Sequence, residues 1–287
     1  MSGRSLGASL FGLLRLVMRR KPGLQPGASI PRIERSMSGV RIDASWLRAY
    51  RNIIGDVDDG FLPPCTPQVR AIDLHLAILG DARFPFPALG IVHLTNAIKE
   101  LQRIPADAPL DLACHLEGQQ ETERGTSFDI VTQAHVNGVL AWRSVLTALV
   151  RNKQSAARAK SPRIGDDAAR PVLSSSVVRA PADLGRRYSR IAGDANPIHL
   201  SALAAKPFGF PRAIAHGMWT LARSVAEVSD ALPPVPRRID ARFIRPVLLP
   251  SAFVIELSPR NASGAHTLRV DPLQADAPHM LGEVAPL

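Results

Sequence analysis

Cysteine is nearly absent from this 287-residue chain: Cys65 and Cys114 are the only two. That is too few for a disulfide framework or a cysteine-rich zinc site, and nothing in their spacing obliges them to pair, so a reducing compartment is expected. Aromatic residues are scarce as well, at 5%. The arginines therefore lack the stacking partners that a single-strand nucleic-acid surface interleaves with its cations. No run approaches the roughly 20 apolar residues that span a bilayer; the best one, Ala8 to Met18, is short and carries Arg15. Also missing are a Gly-rich phosphate loop, a Cys-x-x-Cys pair and an H-E-x-x-H motif, so common nucleotide, redox and zinc chemistries find no foothold. What is present is 46% apolar and 21% charged residues, enough for a sizeable core in one large domain or two ordinary ones.

A formal net charge of +10 makes a polyanion the first partner to consider. The charge is uneven. Residues 1–50 hold nine basic and two acidic side chains and residues 151–170 hold six and two, which together exceed the whole excess. Neither segment reads like a folded core. Residues 1–40 form a basic leader, free of acid as far as Ile33, with Arg15, Arg19, Arg20 and Lys21 ahead of a Pro/Gly-rich stretch; poor order is expected there. A secretory signal fits badly because the basic cluster follows the apolar stretch, whereas an amphipathic surface helix or an organellar transit peptide shares this composition. Residues 151–174 are small and polar, as a solvated linker is. The expected units are thus 41–150 and 175–287, with little charge left over to hold nucleic acid.

The two units resemble each other. Tyr50, Ile53, Gly55 and Asp56 recur as Tyr188, Ile191, Gly193 and Asp194, and Phe86-Pro87 before His93 parallels Phe210-Pro211 before His216. Each histidine then opens a stretch of helical period: Met218, Leu221, Ala222, Val225, Val228 and Leu232 predict a helix over 217–232, and its counterpart is expected over 93–101. Strands are expected over 110–116, 126–135 and 139–149 in the first half, and over 238–247, 252–257, 266–270 and 281–284 in the second. One helix followed by an antiparallel run, used twice, predicts an α+β fold in which each sheet wraps its helix and the two sheets pair into one surface.

The densest chemistry lies between Tyr188 and Met218. Asp194 and His199 are five apart, wrong for one helical face, but a tight Asn196-Pro197 turn can aim both at one point. A histidine titrating near neutrality beside a carboxylate can deprotonate and orient a water. The same residues also suit a purely local role, Asp194 as a turn or N-cap residue and His199 as the start of a short Ala-rich helix. Gly217, at a helix start, leaves an N–H free at the positive end of the helix dipole, where an oxyanion can be held. Asp194, His199 and His216 could also be read as metal ligands, though no dense ligand motif supports this.

The run from Tyr188 through Gly193-Asp194-Ala-Asn196-Pro197-Ile-His199 to Ile214-Ala-His216-Gly217-Met218 resembles the signature of the MaoC-like dehydratases, the hotdog-fold (R)-specific enoyl-CoA hydratases. Phe243-Ile-Arg-Pro246-Val247 looks like the family's next strand, and the first half, through Phe84 to His93 and Asn96, resembles the N-terminal hotdog of two-hotdog members. The resemblance implies a double hotdog in which Asp194 and His199 activate the water added to a trans-2-enoyl thioester. Asn196 would support their turn, and the Gly217 N–H would polarise the thioester carbonyl. The product would be a (3R)-3-hydroxyacyl thioester, with coenzyme A as part of the substrate and neither metal nor redox cofactor required. Ser201 stands where many members have an acid. Phe61 replaces the histidine in the first half, so that unit is expected to shape the acyl tunnel, leaving room for a medium or long chain.

For substrate binding, His216 and the basic residues Arg187, Arg190, Lys206, Arg212, Arg242 and Arg245 are the candidates, since coenzyme A offers three phosphates to guanidinium groups. The rival activities are a 3-hydroxyacyl-carrier-protein dehydratase of fatty-acid or polyketide synthesis, a hotdog thioesterase, and a non-catalytic acyl-CoA-binding subunit. No nucleic-acid partner and no integral membrane segment are expected, and a homodimer is compatible with the sequence. The C-terminal Ala-Pro-Leu is no peroxisomal address, so the cytoplasm is the expected location, or an organelle if the leader is a transit peptide.

Overall fold

Period-two burial dominates the described residues, and ten strands take it up. The computed structural model describes residues 21–25, 27–152, 171–274 and 277–287. It runs β1 (Glu34–Val40), α1 (Ala44–Ile54), α2 (Thr66–Arg70), α3 (Ile72–Gly80), β2 (Ile91–Glu100), β3 (Leu110–Thr122), β4 (Gly125–Val136) and β5 (Val139–Arg151). The second half follows as β6 (Ser174–Ala180), α4 (Leu184–Ala192), α5 (Ala202–Ala205), α6 (Gly217–Glu227), β7 (Arg237–Phe243), β8 (Ser251–Leu257), β9 (His266–Pro272) and β10 (Met280–Pro286). All ten strands form one antiparallel sheet in the order β1-β3-β4-β5-β2-β7-β10-β9-β8-β6. The second five repeat the first five in mirror order, so the duplication in sequence is a duplication in space: a double hotdog.

The halves meet where β2 pairs with β7. Ile98 faces Ile239 there, and Glu100 faces Arg237 across a buried ion pair of 2.7 Å. Burial pushes the Glu100 carboxyl up despite that guanidinium, and removing either partner would strand the other at a cost of roughly 3–5 kcal/mol. The helices interlock as well. Trp46 of α1 donates its indole N–H to the Ile191 carbonyl of α4, and Trp219 of α6 donates to the Ile53 carbonyl of α1, both at 2.8 Å.

The Tyr…Gly-Asp repeat has a physical cause. Both α1 and α4 bury their tyrosine and end on a glycine in the left-handed region, Gly55 at φ 72° and Gly193 at φ 77°, whose N–H caps the carbonyl four residues back. Only a residue without Cβ turns the chain this way at little cost. An aspartate then follows at the same place in each half.

Three expectations need correction. The stretch expected as a helix over 93–101 is a strand as far as Glu100: Asn96, Ile98 and Glu100 are buried in alternation, and β2 is hydrogen-bonded to β5 on one side and β7 on the other. A short apolar stretch fits either period, and here pairing on both sides satisfies the backbone. The helices of the first half come earlier, as α2 and α3, so His93 on a strand is not the counterpart of His216 at a helix start. Nor does poor order extend through the leader to residue 40. Ile33 is fully buried, Gly23 donates its N–H to the Pro85 carbonyl, and β1 pairs with β3. Residues 1–20 of the leader and 153–170 of the linker lie outside the described residues.

The second-half helix runs to Glu227, with a 3-10 turn at Ser229–Ala231 beyond it. All seven strands expected from the sequence are present, with shifted ends; β1 and β6, short and rich in Ser, carry no clear apolar alternation and escape a reading of period.

Candidate active site

The segment after α4 folds on local hydrogen bonds. Gly193 releases the chain, and Asp194 Oδ1 accepts from the Asn196 N–H at 3.1 Å. Asn196 Oδ1 in turn accepts from the Ile198 N–H, and Pro197 opens a 3-10 turn that ends on His199. This is the Asx geometry that short polar side chains make with their own backbone. It brings Asp194 and His199 together, and Ser201, next along, caps α5 by accepting from the Ala204 N–H at 3.1 Å.

The loop before α6 supplies the rest of the site. Ala215 and Leu249 donate to the carbonyls of Val247 and Ala213, and Ile214 donates to the Ile198 carbonyl, so the loop is fastened both to the segment after β7 and to the turn that holds Asp194 and His199. The Ile214 carbonyl then accepts from His199 Nδ1 at 2.8 Å. A carbonyl can only accept, so Nδ1 carries the proton and Nε2 presents a lone pair. His199 is buried, and burial holds its imidazole below the usual histidine range against the pull of Asp194. The ring is neutral at neutral pH, in the tautomer a general base needs.

His216 lies beneath it, with ring centroids 3.6 Å apart and planes 24° from parallel. Its Nε2–H points to the Asp194 carbonyl at 3.1 Å, which also accepts from Ser189 Oγ at 2.6 Å. Burial first, then the neighbouring His199, pushes His216 down to about 3. Desolvation would raise the Asp194 carboxyl, but the facing His216 and His199 and the Asn196 N–H outweigh it and keep the group below its ordinary value. Asp194 is the open member, 39% exposed at its side chain against 3% for His216. Its carboxylate does not bond either imidazole directly, while ligand atoms of all three lie within 4.8 Å of one another. That spacing suits a water bridging Asp194 and His199. It suits a metal ion poorly, because lone pairs in two stacked, nearly parallel rings do not converge on one point.

Gly217 begins α6 just beyond His216, and among the described residues its N–H makes no hydrogen bond. A Cβ there would lie 3.3 Å from the Phe243 ring and 3.5 Å from His93 Nδ1, so glycine leaves the helix start accessible in a crowded place.

A family model described as MaoC like domain matches residues 166–267, a segment holding Asp194, Asn196, His199, His216 and Gly217. The chain carries a MaoC-like dehydratase domain. It is similar over nearly its whole length to 3-hydroxyacyl-thioester dehydratase X of Mycobacterium tuberculosis, 29% identical over 262 residues that cover 91% of this chain and 93% of that protein. A crystal structure of HtdX from the same organism superposes with a TM-score of 0.77 at 28% identity, covering 89% of this chain and all of that one. A MaoC-like dehydratase from Phytophthora capsici, at 15% identity and a TM-score of 0.71 over 89% of this chain and 95% of that one, shares the fold. The relatives it resembles are thus named as dehydratases.

Around the MaoC-like site, the structure treats the expected substrate-binding residues unequally. His216 is buried behind His199 and ties the Asp194 turn. Arg187 faces a cleft of about 310 Å³ together with Arg179 and Arg223. Arg190 and Lys206 are exposed, and Arg212 is exposed with its guanidinium on the Pro250 carbonyl. Arg242 pairs in register with Thr95, one position off the inward row of Asn96 and Ala241, so it projects from the other face of the sheet. Arg245 is exposed beyond β7. Sequence reasoning missed Ser189, the Ile214 carbonyl and the first-half residues His75 and His93, both of which act electrostatically with Asp194. The one available signal was His93, whose likeness to His216 proved to be a likeness of composition.

Burying neutral imidazoles has a consequence for stability. Burial holds His75 and His93 at about 4 and His216 at about 3, so between there and the ordinary value of about 6.5 the unfolded chain binds more protons and acid favours unfolding. Asp56, raised to about 6 chiefly by burial and opposed by Arg51, acts the other way, its stabilising contribution being lost as pH rises through 6. The lowered histidines, His199 and His279 among them, outnumber the raised carboxyls Asp56, Glu100 and Asp129 and predict a urea midpoint that rises from pH 4 to pH 7; a flat or falling midpoint would contradict the assignment.

Proposed function

We propose that this protein catalyses the reversible hydration of trans-2-enoyl thioesters, with coenzyme A as carrier, to (3R)-3-hydroxyacyl thioesters. The observation that carries the reading is the lone pair of His199 Nε2, fixed by the Ile214 carbonyl and placed beside the Asp194 carboxylate near a free helix start. Asp194 and His199 hold a water over C3 of the substrate, and His199 takes its proton as the oxygen attacks. Negative charge gathers on the thioester oxygen, where the Gly217 N–H and the dipole of α6 receive it. The proton taken from water is returned to C2, so that one water is added and nothing else is consumed. Asn196 and His216 hold the turn that makes this possible. In the opposite direction the same groups expel water, in keeping with the name of the relative, 3-hydroxyacyl-thioester dehydratase X.

The degenerate first half cannot run the same chemistry. There Asp56 is engaged by the buried Arg51 at 3.1 Å, and no histidine stands five residues on. We assign this half the shaping of the acyl site, with room for a medium or long chain.

One assay tests the reading. Loss of the conjugated enoyl-thioester absorbance without thiol release is expected; thiol release would mean a thioesterase, and neither change would mean a binding subunit. Running four- and ten-carbon enoyl chains on coenzyme A and on acyl carrier protein completes it. A clean preference for four carbons would overturn the assigned role of the first half, and a clean preference for the carrier protein would replace the coenzyme A reading.

A further inference from the structure

Two side chains of the first half pack against the start of α6, His93 by Gly217 and Asn96 by Met218, and each carries an acceptor that no donor meets among the described residues. Their placement comes from a β-bulge. Going along β2, His93 pairs with Ala148 but Thr95 already pairs with Thr147, so one residue is extra. A bulge re-aims the side chains on one side of it. Ala148 pairs with the buried Phe128, and Asn96 pairs with Leu146 opposite the buried Ile130, so His93 and Asn96 take successive places on the inward face.

Their chemistry is fixed by what they touch. His93 Nε2 lies 3.0 Å from the Thr95 carbonyl, so the proton sits on Nε2 and Nδ1 is a lone pair. That Nδ1 is 3.5 Å from where a Cβ on Gly217 would be. Asn96 is fully buried; its Nδ2 reaches the Met218 sulfur at 3.5 Å, and its Oδ1 is buried with no partner. A buried acceptor left unmade is costly, and an apolar residue such as the neighbouring Ile98 would fill the position without that cost. Two acceptors repel a carbonyl or carboxylate and attract an N–H or O–H.

Resting on the hydratase reading above, we propose that His93 Nδ1 and Asn96 Oδ1 together hold a hydrogen-bond donor of the bound thioester and thereby set where the thioester lies against Gly217. The donor is an amide N–H of the cysteamine arm or a hydroxyl on the acyl chain. The half that has lost the catalytic pair thus supplies recognition to the half that keeps it.

The test uses the full chain, its Asn96→Leu and His93→Leu variants, and two matched pairs of substrates. One pair is an enoyl thioester of N-acetylcysteamine against an S-alkyl thioester of equal length; the other is a chain-hydroxylated enoyl-CoA against its unsubstituted parent. In one pair the wild type should show the lower KM for the donor-bearing member. Each variant should lose about tenfold more kcat/KM on that member than on its match, the size of one well-made hydrogen bond. The thermal midpoint of Asn96→Leu should hold or rise, since an orphaned acceptor is removed. The pair that shows the coupling identifies the donor. Equal KM values in both wild-type pairs overturn the proposal even if a variant fails to fold, as do equal losses for the variants. A wild type that hydrates none of the four overturns the hydratase reading instead.

Discussion

Asp194→Asn and His199→Gln are each expected to lower kcat/KM for enoyl-thioester hydration by about 10²–10⁴, the usual worth of a positioned acid/base group. Both replacements preserve the hydrogen bonds that shape the turn. Asparagine at 194 keeps an oxygen for the Asn196 N–H, and glutamine at 199 keeps a donor for the Ile214 carbonyl, so thermal midpoints should stay near the wild type. What is lost is the base. An amide nitrogen has no lone pair to accept the proton of water, and a neutral side chain at 194 no longer orients that water or supports the imidazolium that forms. The loss should fall on kcat, because these groups act as charge develops. Wild-type rates in either variant would overturn the mechanism, whatever happens to the fold.

The second large effect comes from a residue that touches no substrate. Gly185 sits in the first turn of α4, and a Cβ there would lie 1.8 Å from the His199 carbonyl oxygen. Backbone cannot yield by that much without moving either the helix or the 3-10 turn. Gly185→Ala is therefore expected to destabilise by about 1–3 kcal/mol, the range for overpacking. It should also cut kcat by about a hundredfold, because displacing His199 by roughly 1 Å breaks its alignment with Asp194. Gly60→Ala is the control. That glycine has φ 81° with nothing within 4 Å of its missing Cβ, so alanine strains the backbone and lowers stability while the catalytic turn stays in place. If both variants lose stability and neither loses kcat, the close approach of α4 to the turn has no role in holding the base.

These two predictions differ in how far they could be read in advance. Asp194 and His199 stand out in the sequence because their relation is local: Gly193, Asn196 and Pro197 between and beside them bend the chain, and the bend alone brings carboxylate and imidazole together. Gly185 gives no such sign. Nothing near it in the chain requires glycine; the requirement comes from a carbonyl fourteen residues away. The misreading of residues 93–101 as a helix has the same origin. A short apolar stretch satisfies both periods, and only pairing with β5 and β7 decided between them. Arg242, plausible as a phosphate ligand by charge, is placed on the face opposite Asn96 and Ala241 by its register with Thr95, a matter of strand parity across a long-range pairing.

Taken alone, the sequence determined that the chain is duplicated, that its excess charge lies mostly outside the repeated units, and that one half keeps an Asp/His turn the other lacks. Each of these is written in composition or in residues close along the chain. Only the tertiary structure decided which nitrogen of His199 carries the proton, that His216 lies behind it, and that His93 and Asn96 face the helix start from the other half. Those facts depend on the Ile214 carbonyl, on a single extra residue in β2 and on the joining of β2 to β7, contacts between segments whose separation in sequence leaves no local pattern.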